Sequence, residues 1–327
     1  MLRGEESKNT FSLYSKNLEL INTYTEGYNP AFILKHPNNK YLYVCYESIY
    51  EGHIATFKYD NDTLKLINTV SSNGKSTCYL CFDPELKNII NINYWDSSIT
   101  IHPLDNNILM ESVYEIKPFI QNNIYHIGDH LDDRQSTSHH HSCVFHNNDL
   151  YVPDLGTDKI DIYLYFKNRL IYDGFYQLKK GSGPRYCLVR EDKLYIVNEL
   201  SSSILILQVE GGMIEDVQEI STIPTWYEGK NTCGNILITK DDYIYVSNRG
   251  HNSIAIFEIL KNGKLLGKDI IESGGRTPRH FNISKKEDKL YVGNQDTNSV
   301  VCFKREKGML YYEKSIECNS PNFIATF

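Results

Sequence analysis

Short runs of β-branched, aromatic and aliphatic residues alternate along most of the chain with polar stretches rich in Asn, Asp, Gly and Ser. That is the pattern of strands joined by tight turns. No stretch carries the three-to-four-residue apolar spacing of an amphipathic helix. The pattern is clearest from Thr277 to Lys304. A first run carries Arg279 and His280 near its start, and a Lys/Glu/Asp turn follows. A second run ends in Asn294-Gln295-Asp296, and a third covers Ser299–Lys304. Antiparallel strands in this order set the polar start of the first beside the polar end of the second.

The same arrangement recurs. First strands begin at residues 30, 77, 141, 184, 233, 278 and 321, with spacings of 47, 64, 43, 49, 45 and 43. Five of these match one four-stranded propeller blade of roughly 40–50 residues, and the long one holds an insertion over residues 114–138. Seven starts predict an all-β, seven-bladed β-propeller, a single domain over residues 1–327. Second strands are expected at Tyr41–Tyr46, Asn88–Asn93, Leu150–Val152, Leu194–Val197, Tyr243–Ser247 and Leu290–Gly293, each followed by a third and a short fourth strand. Asn322–Phe327 supplies a first strand and stops. Thr10–Tyr14 and Leu18–Thr23 supply a third and a fourth. Strands from both termini are therefore expected to close the ring, which removes an exposed sheet edge.

Composition narrows the function. A net charge of −7 and a pI near 5.9 argue against a nucleic-acid surface, which needs a basic stripe, but a local arginine cluster can still bind an anion. The polar N-terminus and the absence of long apolar runs predict neither a signal peptide nor a membrane span, hence a cytoplasmic protein. The eight cysteines are dispersed. Only Cys78 and Cys81 form a C-x-x-C, with no second pair to complete a zinc site, so reduced thiols are expected. The three consecutive histidines 139–141 alternate in direction along a strand. No metal or other cofactor is expected, and the chain should be a monomer or a weak homo-oligomer.

Several polar words stand in register with the repeat: His139-His140-His141-Ser142, Asp154-Leu155-Gly156-Thr157-Asp158, Gly183-Pro184-Arg185, Asn198-Glu199-Leu200, Ser247-Asn248-Arg249-Gly250, Pro278-Arg279-His280-Phe281 and Asn294-Gln295-Asp296. Together they resemble the seven-bladed propeller lactonases, which include bacterial 6-phosphogluconolactonases and fungal carboxymuconate-cyclising enzymes. The resemblance spans about Asn29 to Phe327, with Arg134-Gln135 matching the family ahead of the His word. It implies a catalytic group of His141, Glu199, Arg185 and Arg249, with Arg279 in the equivalent place of the next blade. The repeat register places these at one mouth of the channel, with His139, Asp154, His280 and Asp296 as further substrate-binding candidates. Lactone opening needs a base to activate water and a donor for the developing oxyanion. His141 or Glu199 could be the base, and the guanidinium forks could hold a phosphate or carboxylate. The partner implied is a small anionic sugar lactone such as 6-phosphogluconolactone. Cyclisation of a carboxymuconate and a non-catalytic ligand-binding propeller are the alternatives. The arginines could also serve only to pair with Glu199, Asp154 or Asp296.

Overall fold

The computed structural model describes residues 11–117 and 133–326, which form two units. The first comprises the chain before Asp158 together with Asp161–Phe175, and the second comprises Asp158–Ile160 and the chain from Tyr176 onward.

In the first unit β1 (Phe11–Tyr14) and β2 (Leu20–Tyr24) make a two-stranded sheet. β3 (Pro30–Lys35), β4 (Tyr41–Tyr46), β5 (His53–Asp60) and β6 (Thr63–Ser71) make a four-stranded antiparallel meander. The next sheet holds β7 (Thr77–Phe82), β8 (Asn88–Asn93) and β9 (Ile99–Asp105). Its outer strand is split into β10 (Ile108–Leu109) and β11 (Tyr114–Ile116), both paired with β9. The first residues of the expected insertion therefore belong to the sheet, and residues 118–132 lie outside the described ones. A further meander is built from β12 (Val144–His146), β13 (Asp149–Asp154), β14 (Lys159–Phe166) and β15 (Arg169–Gln177). The second unit carries three meanders: β16 (Pro184–Arg190) to β17 (Lys193–Asn198), β18 (Ser203–Glu210) and β19 (Met213–Ser221); β20 (Thr232–Ile238) to β21 (Tyr243–Arg249), β22 (Ser253–Ile259) and β23 (Leu265–Glu272); and β24 (Pro278–Ile283) to β25 (Lys289–Asn294), β26 (Ser299–Glu306) and β27 (Met309–Glu317).

Second strands such as β4, β8 and β17 are buried along almost their whole length, as strands covered on both faces should be. Fourth strands such as β15 and β27 expose most of their residues. The many tyrosines have a repeated job. Tyr43 of β4, Tyr195 of β17 and Tyr245 of β21 are buried. Their hydroxyls donate to Asn107 O, Gly263 O and Gly308 O, at 2.9, 2.9 and 2.7 Å. Each acceptor is in the outer hairpin turn of the next sheet, so a ring that fills the core also satisfies its polar tip.

Two expectations change. The described residues form six sheets of the blade kind plus the β1–β2 pair, and Asn322–Thr326 is not a strand. That segment runs beside β24 through side chains, with Asn282 Nδ2 donating to Ile324 O at 3.1 Å and Thr326 Oγ1 to Ile283 O at 2.7 Å. No backbone ladder forms there, so it lacks the periodic bonds that define a strand. β12 also starts later than residue 141. Pro153 has no N–H to give, and only an isolated bridge joins His140 to Asp154.

Candidate active site

Five first strands begin the same way. A ladder irregularity follows the opening residue in β3, β7, β16 and β24, and the second residue, Cys233, in β20. In β16 it leaves Arg185 outside the ladder, between Pro184↔Asn198 and Tyr186↔Val197. In β24 it does the same for Arg279, between Pro278↔Asn294 and His280↔Gly293. Such bulges re-aim a side chain that the pleat would otherwise commit to one face. Ahead of β16, Gly183 has φ +58°, and a Cβ there would sit 2.4 Å from Leu200 Cγ. Its N–H donates to Asp158 Oδ1 at 2.7 Å and its carbonyl accepts Glu199 N–H at 2.7 Å. The glycine thus clamps the end of β17, where Glu199 stands, to the start of β16, where Arg185 stands.

The result in the second unit is a buried charge cluster. Arg185 Nη1 lies 2.6 Å and Arg249 Nη2 2.9 Å from the same oxygen, Glu199 Oε2. The Glu199 side chain is only 1% exposed. Arg185 Nε donates to Gly234 O at 2.7 Å, and Arg249 Nη2 to Cys233 O at 2.6 Å. Cys233 N–H closes the arrangement on Glu199 O at 3.0 Å. Two guanidiniums against one carboxylate leave an excess positive charge, and the charge of Arg279 also reaches Arg249 and His280. Burial lowers the Arg249 pKa to about 10; Glu199 opposes that fall, while Arg185 and Arg279 add to it. Arg249 therefore stays charged at neutral pH. Its buried Nε has no hydrogen-bond partner among the described residues, and an unsatisfied buried donor is costly.

The other candidates in this unit have local partners. Asp296 accepts from Thr277 Oγ1 at 2.5 Å, and its N–H donates to Arg276 O at 3.2 Å. His280 accepts from Ile324 N–H at Nδ1, 3.1 Å away, and packs its ring 3.9 Å from that of Phe323. It thereby anchors the C-terminal segment. Burial, with the charges of Arg185 and Arg279, lowers its pKa from 6.5 to about 3. A depressed histidine contributes stability above its unfolded pKa and loses it as pH falls toward the folded one. Stability should therefore decline between about pH 6.5 and about 3. Buried His102, lowered to about 4, adds a decline of the same sign. Urea unfolding across this range should show a shallower decline in His280→Asn, which keeps a non-titrating acceptor near Nδ1. An unchanged slope would count against His280 as a source.

The first unit holds the His word. Asp154 accepts from His139 N at 2.7 Å, Gly156 N at 3.0 Å, Ser138 Oγ at 2.7 Å and Thr157 Oγ1 at 2.7 Å. Its carboxylate is filled by the turn it organises. The His139 ring stacks on Tyr94 at 4.5 Å and 8°, edges Trp95 at 5.2 Å, and donates from Nδ1 to Tyr94 O at 3.1 Å. Burial lowers its pKa. The His141 ring meets the Tyr94 ring edge-on at 5.3 Å, and its N–H donates to Pro153 O at 3.2 Å.

One pair was not anticipated. Fully buried His140 donates from Nδ1 to Ser97 O at 2.9 Å and meets Asp161 Oδ2 at 2.9 Å with Nε2. Both nitrogens face acceptors, which favours the imidazolium. Burial pulls its pKa down, but the Asp161 hydrogen bond and the charges of Asp154 and Asp161 outweigh that and raise it. His140, Asp154 and Asp161 present ligand atoms within 4.8 Å of one another and are the described residues that could hold a cation. Both Asp154 oxygens are, however, taken by the turn, and His140 is engaged by Ser97 O and Asp161 Oδ2.

The family model described as "Lactonase, 7-bladed beta-propeller" matches residues 5–326, and the chain belongs to that family. A Bacillus subtilis protein named 6-phosphogluconolactonase is 28% identical over 290 residues, covering 85% of this chain and 81% of its own. A candidate 6-phosphogluconolactonase structure from Bacteroides fragilis has TM-score 0.84 at 25% identity, covering 98% of this chain and 94% of its own. The periplasmic gluconolactonase of Pseudomonas aeruginosa, TM-score 0.82 at 23% identity, covers 93% of this chain and 88% of its own and bears on the fold alone. The fold is an all-β propeller of lactonase type. No helix among the described residues is long and apolar enough to cross a membrane.

Proposed function

We propose that the chain hydrolyses a sugar lactone bearing an anionic group, with 6-phosphogluconolactone as substrate in the cytoplasm. The observation that carries this reading is the buried Arg185–Glu199–Arg249 cluster with its excess positive charge and the unsatisfied Nε of Arg249. Guanidinium forks suit phosphate and carboxylate oxygens, and a preorganised donor suits a developing oxyanion. Glu199 has its charge engaged by two guanidiniums, so its role is to position the arginines. The base that activates water is then His141, whose ring is held edge-on by Tyr94. Arg279 adds to the positive field. His139 and Asp154 order the His141 segment, and Asp296 orders the turn before Arg279.

Closure by both termini belongs to the same proposal. On the C-terminal side it is supported by a repeated contact. Asn235 Nδ2 donates from β20 to Phe281 O of β24, and Asn282 Nδ2 donates from β24 to Ile324 O. Pro321–Thr326 thus takes the place that a following first strand would take. The β1–β2 pair supplies strands that have no further partner strand among the described residues.

Freshly generated 6-phosphogluconolactone, with product coupled to a dehydrogenase and spontaneous opening subtracted, should be hydrolysed well above background. Folded His141→Ala should lose about 10²–10⁴-fold in kcat. No rate above background from folded wild-type protein would remove the phosphate-lactone reading. An undiminished rate in His141→Ala would remove that residue as base.

A further inference from the structure

We infer that Cys81 and Cys143 form a reversible disulfide when the protein meets a low-molecular-weight disulfide such as oxidised glutathione. Their sulfurs lie 3.1 Å apart, about 1 Å from the bonded distance of about 2.05 Å. Cys81 is on β7, and Cys143 directly precedes β12, so the bond would join the first strands of two sheets in the first unit. It would also restrain the segment that carries His141, two residues before Cys143.

The surroundings favour this pair over the other cysteines. Cys81 is half-buried and so open to a small oxidant, while Cys143 is buried beside it. The second thiol of the C-x-x-C points elsewhere: Cys78 Sγ donates to backbone oxygens of Ile92, His140 and His141, at 3.7, 3.9 and 3.5 Å. Burial pushes the thiols of Cys45 and Cys233 up to about 12 and that of Cys302 to about 11, which keeps them as unreactive thiols.

The chemistry balances through a mixed disulfide. The Cys81 thiolate attacks one sulfur of the oxidant, breaking its S–S bond and releasing one small thiol. Cys143 sulfur then attacks Cys81 sulfur and expels the second small thiol. The two cysteines lose two protons and two electrons, and the two released thiols gain them.

The test uses the full chain incubated with oxidised glutathione, quenched by alkylation and digested with trypsin. The expected product joins the peptide of residues 76–87 to that of residues 135–159, with fragmentation placing the bond on Cys81. It should persist in Cys78→Ser, vanish in Cys81→Ser and disappear on treatment with dithiothreitol. The oxidised protein should also unfold at a higher temperature, because the bond closes a long loop of the unfolded chain. Mixed glutathione adducts alone, a cross-link that survives Cys81→Ser, or an unchanged unfolding midpoint would each overturn the proposal.

Discussion

Replacing Glu199 with Gln is expected to lower stability by about 3–5 kcal/mol, the usual cost of breaking a buried ion pair from one side. Glu199 is 1% exposed, and the two guanidiniums it holds are 6% and 12% exposed. Little surface is left through which solvent could replace a lost partner, least of all at Glu199. The substitution keeps shape and hydrogen-bonding capacity but removes the negative charge between two positive ones. Arg185 and Arg249 then repel across a poorly screened gap. A double-mutant cycle sharpens the expectation. Arg185→Met removes one of the stranded charges, so Glu199→Gln with Arg185→Met should lose less stability than the sum of the single changes. Urea denaturation of the four proteins measures both quantities. A loss below about 1 kcal/mol for Glu199→Gln would mean that the cluster is solvated in solution.

The sequence made the regular part of this fold legible because burial there is continuous. β4 and β8 have the expected bounds, and the polar ends of β24 and β25 meet as antiparallel pairing requires. The Arg185–Glu199–Arg249 cluster was legible for a related reason. The three residues stand at equivalent ends of strands in neighbouring repeats, so register alone brings them near one another. Pairing within one sheet between residues far apart in sequence was hidden. Asp161 is 21 residues from His140 and sits within a third strand, where no motif marks it. A His-Asp pair far apart in sequence leaves no local signal; the one hint was the middle of three consecutive histidines, which strand alternation sends away from its neighbours. His280 makes another contact with no local signal: its Nδ1 serves the backbone of Ile324, far along the chain. The last residues have strand composition, but composition does not reveal whether a backbone ladder forms. Side-chain bonds with β24, from either partner, hold them instead.

Replacing Arg249 with Lys is expected to reduce kcat/KM for a phosphorylated sugar lactone by about 10²–10³-fold, the scale of losing one preorganised donor. Lysine keeps a positive charge but lacks the fork that lets Arg249 bind Cys233 O and Glu199 through Nη2 while Nε remains available. An ammonium can satisfy the carboxylate or a substrate oxygen, and it cannot present the planar arrangement to both. The way the loss divides between kcat and KM assigns the donor. If Nε takes a phosphate oxygen, KM rises for the phosphorylated lactone and an unphosphorylated gluconolactone is little affected. If Nε takes the oxyanion, kcat falls for both substrates while KM stays near its wild-type value. Because burial and the neighbouring arginines lower the Arg249 pKa to about 10, wild-type activity that depends on this charge should also fade as pH approaches 10. The Lys variant, whose charge has a different pKa, should shift that limb. Wild-type kinetics in Arg249→Lys on both lactones, with an unmoved alkaline limb, would show that Arg249 only pairs with Glu199, and the search for the anion-binding donor would pass to Arg279.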